Sequence, residues 1–214
     1  MRYLILISTF IISSLSVAQS ISSETERLNY LNEARTKLRL EISDFLSQEA
    51  LMTKGQGQSC IPDPSCGFYK CQDEKYNCGK EGVFQTFAQR ICEHYMDNIE
   101  QKKFSKEGAK WVYEVTVCLQ KKMYESSELE NSSSSNSEKI CKLQEDTVID
   151  VHRECYDQAG VCELSHSDKL AVFSTINLVI WDFMSDIDRI QNVVSHLFIC
   201  SPVPLLKKWK LLKN

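Results

Sequence analysis

Ten cysteines fall between Cys60 and Cys200, in a chain that opens like an export signal. Thiols at this density could hold metal, act as nucleophiles or join as disulfides, and the compartment decides which. Arg2 supplies a positive start, residues 3–15 form an apolar run with LILISTFII at its centre, and Ser16-Val17-Ala18 places small residues where a signal peptidase cuts. Cleavage is expected between Ala18 and Gln19. The run is shorter than the roughly 20 residues that span a bilayer, so it reads as a cleaved signal and not an anchor. No later segment is long and apolar enough to span, so the mature chain is expected to be soluble and secreted or lumenal. In that oxidising setting all ten cysteines can pair, which disfavours a catalytic or metal role for any one thiol. Spacing alone does not choose among the many pairings that ten cysteines allow.

The remaining reactive residues are sparse. His94, His152, His166 and His196 are the only histidines, and none sits in a zinc-protease helix motif or a metal-finger spacing. His94 reads as an exposed helix residue; His152, beside Arg153 and Glu154, reads as a surface residue. There is no Gly-x-Ser-x-Gly elbow and no phosphate loop. Asp182, Asp186 and Asp188 lack the glycine and distal glutamate of a calcium loop, so a helix start or solvated face is expected there. No constellation of acid, base and nucleophile is visible. The expectation is a non-enzyme without a cofactor.

Removing residues 1–18 leaves 196 residues (214 minus 18), enough for one domain with an arm. The formal charge of -4 becomes about -5 without Arg2, too mild to point to nucleic acid. With only 7 glycines and 4 prolines, an all-α fold is expected over one rich in tight turns. Residues 23–54 read as an amphipathic helix with a Ser23–Glu26 capping box, a stripe of Leu28, Leu31, Ala34, Leu38, Ile42, Phe45 and Leu46, and a stop at Gly55 and Gly57. This arm faces the core or, in a sharper reading, a partner or second copy. Residues 60–78 hold two prolines and four cysteines, which suits clamped loops.

Helical spacing returns over 81–98, with Val83, Phe84, Phe87, Ile91, Cys92 and Tyr95 on one side. A helix over 105–124 follows, with Ala109, Val112, Val115 and Leu119 inward and Cys118 beside them; Trp111 is expected in the core. Residues 125–136, ESSELENSSSSN, read as a mobile exposed loop. They contain the chain's only glycosylation sequon, at Asn131. A helix over 138–159 aligns Ile140, Leu143, Val148, Val151 and Cys155, and Gly160 is placed to stop it. A last helical region covers about 167–200. As one straight helix it would be about 50 Å long, whereas a disulfide needs Cα atoms within about 7 Å. Either Cys162 and Cys200 do not pair, or the segment folds back, with a turn near 182–185 before the helix-start signal at Ser185, Asp186 and Asp188. Residues 201–214 are a basic tail, with four lysines and four leucines around Trp209. It reads as a disordered end, or as a contact for a membrane surface or sulfated glycan.

The ordered set of cysteines, with the residues around them, resembles the stanniocalcins, secreted glycoprotein hormones. Cys66-Gly67-Phe68-Tyr69-Lys70-Cys71 is similar to the family's Cys-Gly-x-Phe-x-Cys, with the Phe displaced by one. Lys103-Phe104 and Gly108-Ala109-Lys110-Trp111-Val112 approximate its Lys-Phe-x-x-x-Gly-Lys-x-Phe-Val stretch, and Glu154-Cys155-Tyr156 with Cys162 matches a third element. The resemblance covers Cys60 to Cys200, roughly two-thirds of the chain, as for a distant member. It implies five intrachain pairs: Cys60 with Cys71, Cys66 with Cys92, Cys78 with Cys141, Cys118 with Cys155, and Cys162 with Cys200. That last pair turns the terminal hairpin from an option into an expectation. Stanniocalcins carry an eleventh cysteine that links two chains; nothing after Cys200 can do so here, which removes that covalent dimer and leaves a non-covalent one open.

The expected organisation is therefore a signal peptide (1–18), an N-terminal helical arm (19–59), a stanniocalcin-like cysteine-rich helical bundle (60–200) and a basic tail (201–214). The implied role is that of a secreted signalling or regulatory glycoprotein. It would bind an extracellular protein or cell-surface receptor, with a hormone-like part in calcium and phosphate homeostasis. The alternative is a secreted helical protein that binds lipid or a membrane surface.

Overall fold

A computed structural model describes residues 2–52, 60–131 and 136–183. Every regular element among them is helical: α1 (Arg2–Met52), α2 (Gly67–Tyr76), a π-turn (Phe84–Ala88) running into α3 (Gln89–Glu100), α4 (Lys106–Asn131), α5 (Ser137–Gln158), a 3-10 turn (Val161–Glu163) and α6 (His166–Phe183). None of the described helices is long and apolar enough to cross a membrane.

The apolar stripe of α4 decides the architecture. Ala109, Val112, Val115 and Leu119 are all buried, as is Trp111. α4 packs most extensively against α5 and next against α1. From α5, Ile140, Val148, Cys155 and Tyr156 are buried against it or its neighbours. The expected side of the next segment is also the inner one: Val83, Phe84, Phe87, Ile91, Cys92 and Tyr95 are buried. α6 closes the far side against α3. There Asn98 donates to the Thr175 hydroxyl at 2.8 Å in the core, and Val172, Ile176 and Val179 are buried.

α1 departs from its expected start. The helix is continuous from Arg2, so Ser23 and Glu26 do not cap it. No glycine or proline interrupts residues 2–52, and nothing in that stretch obliges the helix to begin at Ser23. Leu31, Leu38 and Ile42 form the buried stripe, but Leu28 is 53% exposed. At its height α1 meets the charged corner between α3 and α4. Lys102 and Lys106 pair there with Glu24 and Glu26 at 2.6 and 3.3 Å, and the corner offers no apolar wall to Leu28.

Two segments expected as loops are helical. Within the first cysteine cluster, α2 forms because Pro62 and Pro64 are confined to the segment before it. Phe68, Tyr69, Gln72 and Tyr76 then share one buried face at helical spacing. Asn77, at φ 53°, ends it. The serine-rich segment is helical through Asn131. The Ser126 and Ser127 hydroxyls donate back to the Met123 and Tyr124 carbonyls. Gln144 of α5, itself fully buried, donates to the Met123 carbonyl and the Ser126 hydroxyl. Tertiary contact overrides weak helix propensity here. α5 begins at Ser137 under Asn136, whose side chain accepts from the Glu138 N–H at 2.9 Å. Gly160 follows α5 at φ 75°, the left-handed conformation expected of it. α6 ends at Phe183; the expected turn and returning limb, with Ser185, Asp186, Asp188 and His196, lie outside the described residues.

The glycine in the Lys103-to-Val112 stretch has a packing reason. Asp168, at the start of α6 and 1% exposed, accepts from the Ser105 N–H and the Ser105 hydroxyl, both at 2.8 Å, and from the Ser165 hydroxyl at 2.5 Å. The carboxylate thus sits over the first turn of α4, where a negative charge is favoured. A Cβ at Gly108 would meet Asp168 Oδ1 at 2.3 Å. Gly108→Ala should therefore displace a hydrogen-bonded carboxylate and destabilise by about 1–3 kcal/mol, despite alanine's better helix propensity. Asp168→Ala should cost on the order of 2–4 kcal/mol through its lost charged hydrogen bonds. Denaturant melts of the two single variants and the double variant should show strong non-additivity, since Gly108→Ala has no carboxylate to displace once Asp168 is gone.

Candidate functional site

Disulfides fix the frame of the site. Cys60 is bonded to Cys71, Cys66 to Cys92, Cys78 to Cys141 and Cys118 to Cys155. These are four of the five pairs implied by the resemblance. Cys162 is also disulfide-bonded, while Cys200 lies outside the described residues. Gln120 adds a non-covalent clamp to the first cysteine cluster. It is fully buried, accepts from the Asp63 N–H at 2.7 Å and donates to the Ser65 carbonyl at 2.7 Å. One amide from α4 thus satisfies two backbone groups of an irregular segment, as a strand neighbour would.

Opposite its buried stripe, α4 carries Glu107, Lys110, Glu114, Cys118, Lys121 and Glu125 at steps of three and four. These line a groove. One hollow of about 420 Å³ lies between α1, α4 and the end of α5, bordered by Leu38, Phe45, Val117 and the Cys118–Cys155 bond. A second, of about 470 Å³, lies between the first turns of α4, Tyr30 of α1, the 3-10 turn and the start of α6. Glu114 and Ala159 line both, so the two are continuous. The volumes are in the range of ligand sites. The groove is apolar at its floor and polar along its rims.

Its charge is uneven. The second hollow carries four carboxylates, from Glu107, Glu114, Glu163 and Asp168, against the single ammonium of Lys110. Lys110 donates to Glu114 at 2.6 Å, and that bond raises its pKa. Glu107 and Glu163 are exposed, with no salt-bridge partner among the described residues. At the other end the lysines are engaged: Lys121 lies over the Phe45 ring, and Lys122 reaches Glu154 of α5 at 2.9 Å. Trp111 lines the acidic hollow and packs on Tyr156 at a ring separation of 5.2 Å. Its buried indole N–H has no acceptor among the described residues.

The groove-lining acids are residues that the sequence reading passed over. Their signal was available, since a polar stripe at helical spacing lies opposite the apolar one on α4. What turns that stripe into a groove is the wall contributed by α1 and by Gly160 to Asp168, which belongs to no local pattern.

The other candidate residues scatter. His166 is exposed, His94 is half-buried on α3 and not the exposed residue expected, and His196 is outside the described residues. Asp182 falls in the last turn of α6 and Asn131 is the last residue of α4. Ala18 and Gln19 lie on the unbroken course of α1. Among the described residues no cluster of three or more His, Cys, Asp or Glu is placed to hold a metal ion. His152 corrects the surface expectation: it is 3% exposed, packed edge-on against Phe87 and Tyr156. Arg153 and Glu154, its polar neighbours in sequence, point to other sides of α5, whereas Val148, Cys155 and Tyr156 share its face. Its Nδ1–H donates to the Val148 carbonyl.

Burial holds the His152 imidazole neutral, with its pKa lowered from 6.5 to about 4. The unfolded chain takes up a proton on this group near pH 6.5, and the folded chain does so only near pH 4. The stability it contributes is thus fully present above pH 6.5 and lost as pH falls to 4, by roughly 3 kcal/mol in total. His152→Leu should flatten that part of the profile. Urea melts of both proteins between pH 7 and 4 measure the difference, which cancels the carboxylates that titrate in both.

Comparison with protein-family models, with curated proteins and with solved structures finds no match to this chain.

Proposed function

We propose that this protein is a secreted, disulfide-framed regulatory glycoprotein of stanniocalcin type, which acts by binding other proteins outside the cell and breaks no bond. The observation that carries the reading is the agreement of four disulfides, Cys60–Cys71, Cys66–Cys92, Cys78–Cys141 and Cys118–Cys155, with that family's pairing. Many pairings are open to ten cysteines, so four coinciding pairs in a helical frame are a demanding agreement. Such density of disulfides also fits an oxidising compartment. The recognition surface is the groove along α4, whose apolar floor and acidic rim suit a partner segment that is both basic and apolar. A glycan at Asn131 and a hormone-like role in calcium and phosphate handling follow from the same reading.

Peptide mapping of the unreduced protein from culture medium should find five intrachain bonds, no free thiol, Gln19 as the first residue, and a glycan lost in Asn131→Gln. Several free thiols, or Met1 retained at the start, would end this interpretation. Calcium and phosphate uptake by cells exposed to the purified protein tests the hormone-like part, and no change in either removes it. The rival lipid-binding reading is separated by liposome flotation with and without residues 203–214, which should show no tail-dependent recovery with the vesicles.

A further inference from the structure

The acidic end of the groove lies beside Cys162. Gly160, Glu163 and Leu164 line the second hollow, and Cys162 sits among them in the 3-10 turn. Cys162 is disulfide-bonded, the other eight described cysteines pair among themselves, and no cysteine is free among the described residues. Within the sequence only Cys200 remains to complete its bond. Residues 201–214 would then leave the disulfide at the mouth of the groove.

That segment is SPVPLLKKWKLLKN, with Lys207, Lys208, Lys210 and Lys213 and no acidic residue. Its lysines alternate with Leu205, Leu206, Trp209, Leu211 and Leu212. The groove offers the complement. Glu107 and Glu163 stand exposed on the rim of the near hollow, and Glu125 and Glu41 border the far one. Half-buried Phe45 gives apolar surface between them, above the buried Leu38 and Trp111 side chains. The reach is sufficient. From Glu107 to Glu125 is about 27 Å along α4, and 14 extended residues span up to roughly 46 Å.

We propose that the basic segment, residues 201–214, docks into the acidic groove of its own chain and covers the surface that an external partner must use. The groove is then an autoinhibited site, opened by a partner segment of the same basic, apolar chemistry or by removal of the tail. This rests on the Cys162–Cys200 pairing of the reading above.

The test uses the full secreted chain and a zero-length carboxylate–amine coupling reagent. Lys207, Lys208 or Lys210 should couple to Glu163 or Glu107 within one molecule. The Lys122–Glu154 pair, 2.9 Å apart, serves as internal control. Coupling at the control but none from the tail lysines overturns the proposal, as does coupling only between two molecules. In a second arm a labelled peptide of residues 201–214 is added in trans. A tethered tail competes at an effective concentration on the order of millimolar, so the peptide should bind the full chain about tenfold or more weakly than a chain ending at Cys200. The full chain with all four tail lysines changed to glutamine should bind like the shortened one, which keeps the test decisive if shortening impairs folding. Equal affinity for all three proteins, or recovery of the full chain with anionic vesicles through a free tail, overturns it. Disulfide mapping of the same sample separates the two failures. A Cys162–Cys200 bond without tail coupling defeats this proposal alone, whereas an unbonded Cys200 defeats the five-disulfide reading with it.

Discussion

The bond between Cys118 and Cys155 fixes α4 against α5, and the rest of the structure is arranged around that pair. α4 has three jobs on three sides. Its apolar stripe builds the core, its Gln120 holds the first cysteine cluster, and its polar stripe faces α1 across the groove. None of these can be met if α4 rotates about its axis. A covalent link between the middle of α4 and the end of α5 prevents that rotation, and Lys122 with Glu154 repeats the connection one turn away. The loops closed by the four bonds, 11 to 63 residues long, correspond to about 3–4 kcal/mol each in a chain-entropy argument, with the largest contribution from Cys78–Cys141.

Buried polar groups do the remaining positioning, each at a place where two elements must keep register. Gln144 ties the end of α4 to α5, Asn98 ties α3 to α6, and Asp168 ties α6 to the first turn of α4. In a low-dielectric interior such groups are costly unless partnered, so they favour one arrangement over its neighbours. The tyrosines of the core behave similarly. Burial pushes Tyr156 up to about 12, and Tyr69 and Tyr95 upward as well, so all three stay neutral around His152. A charge-free centre beneath an acid-rimmed groove leaves recognition to the surface.

Much of the helical layout was readable from spacing. The inward residues of the segments around Ile91 and Val112 were identified from steps of three and four, and Gly160 from its position after the last periodic residue. Three misreadings share one cause. Ser23 looked like a helix start, residues 125–131 looked like a loop, and His152 looked exposed, each judged by neighbours in sequence. Their states are set by neighbours in space: a helix that need not stop, a glutamine from α5, and the Phe87 and Tyr156 rings.

The sequence by itself determined that the chain is helical, cysteine-rich and acidic, because periodicity and composition are local properties. It also showed where apolar surface must be hidden on each helix. Only the tertiary structure decided that a polar stripe on α4 becomes a groove, that Gly108 must lack a side chain, and that a histidine flanked by charged residues is buried. Those outcomes depend on which helix lies against which, and residues as far apart as Tyr30, Glu114 and Glu163 meet only after folding.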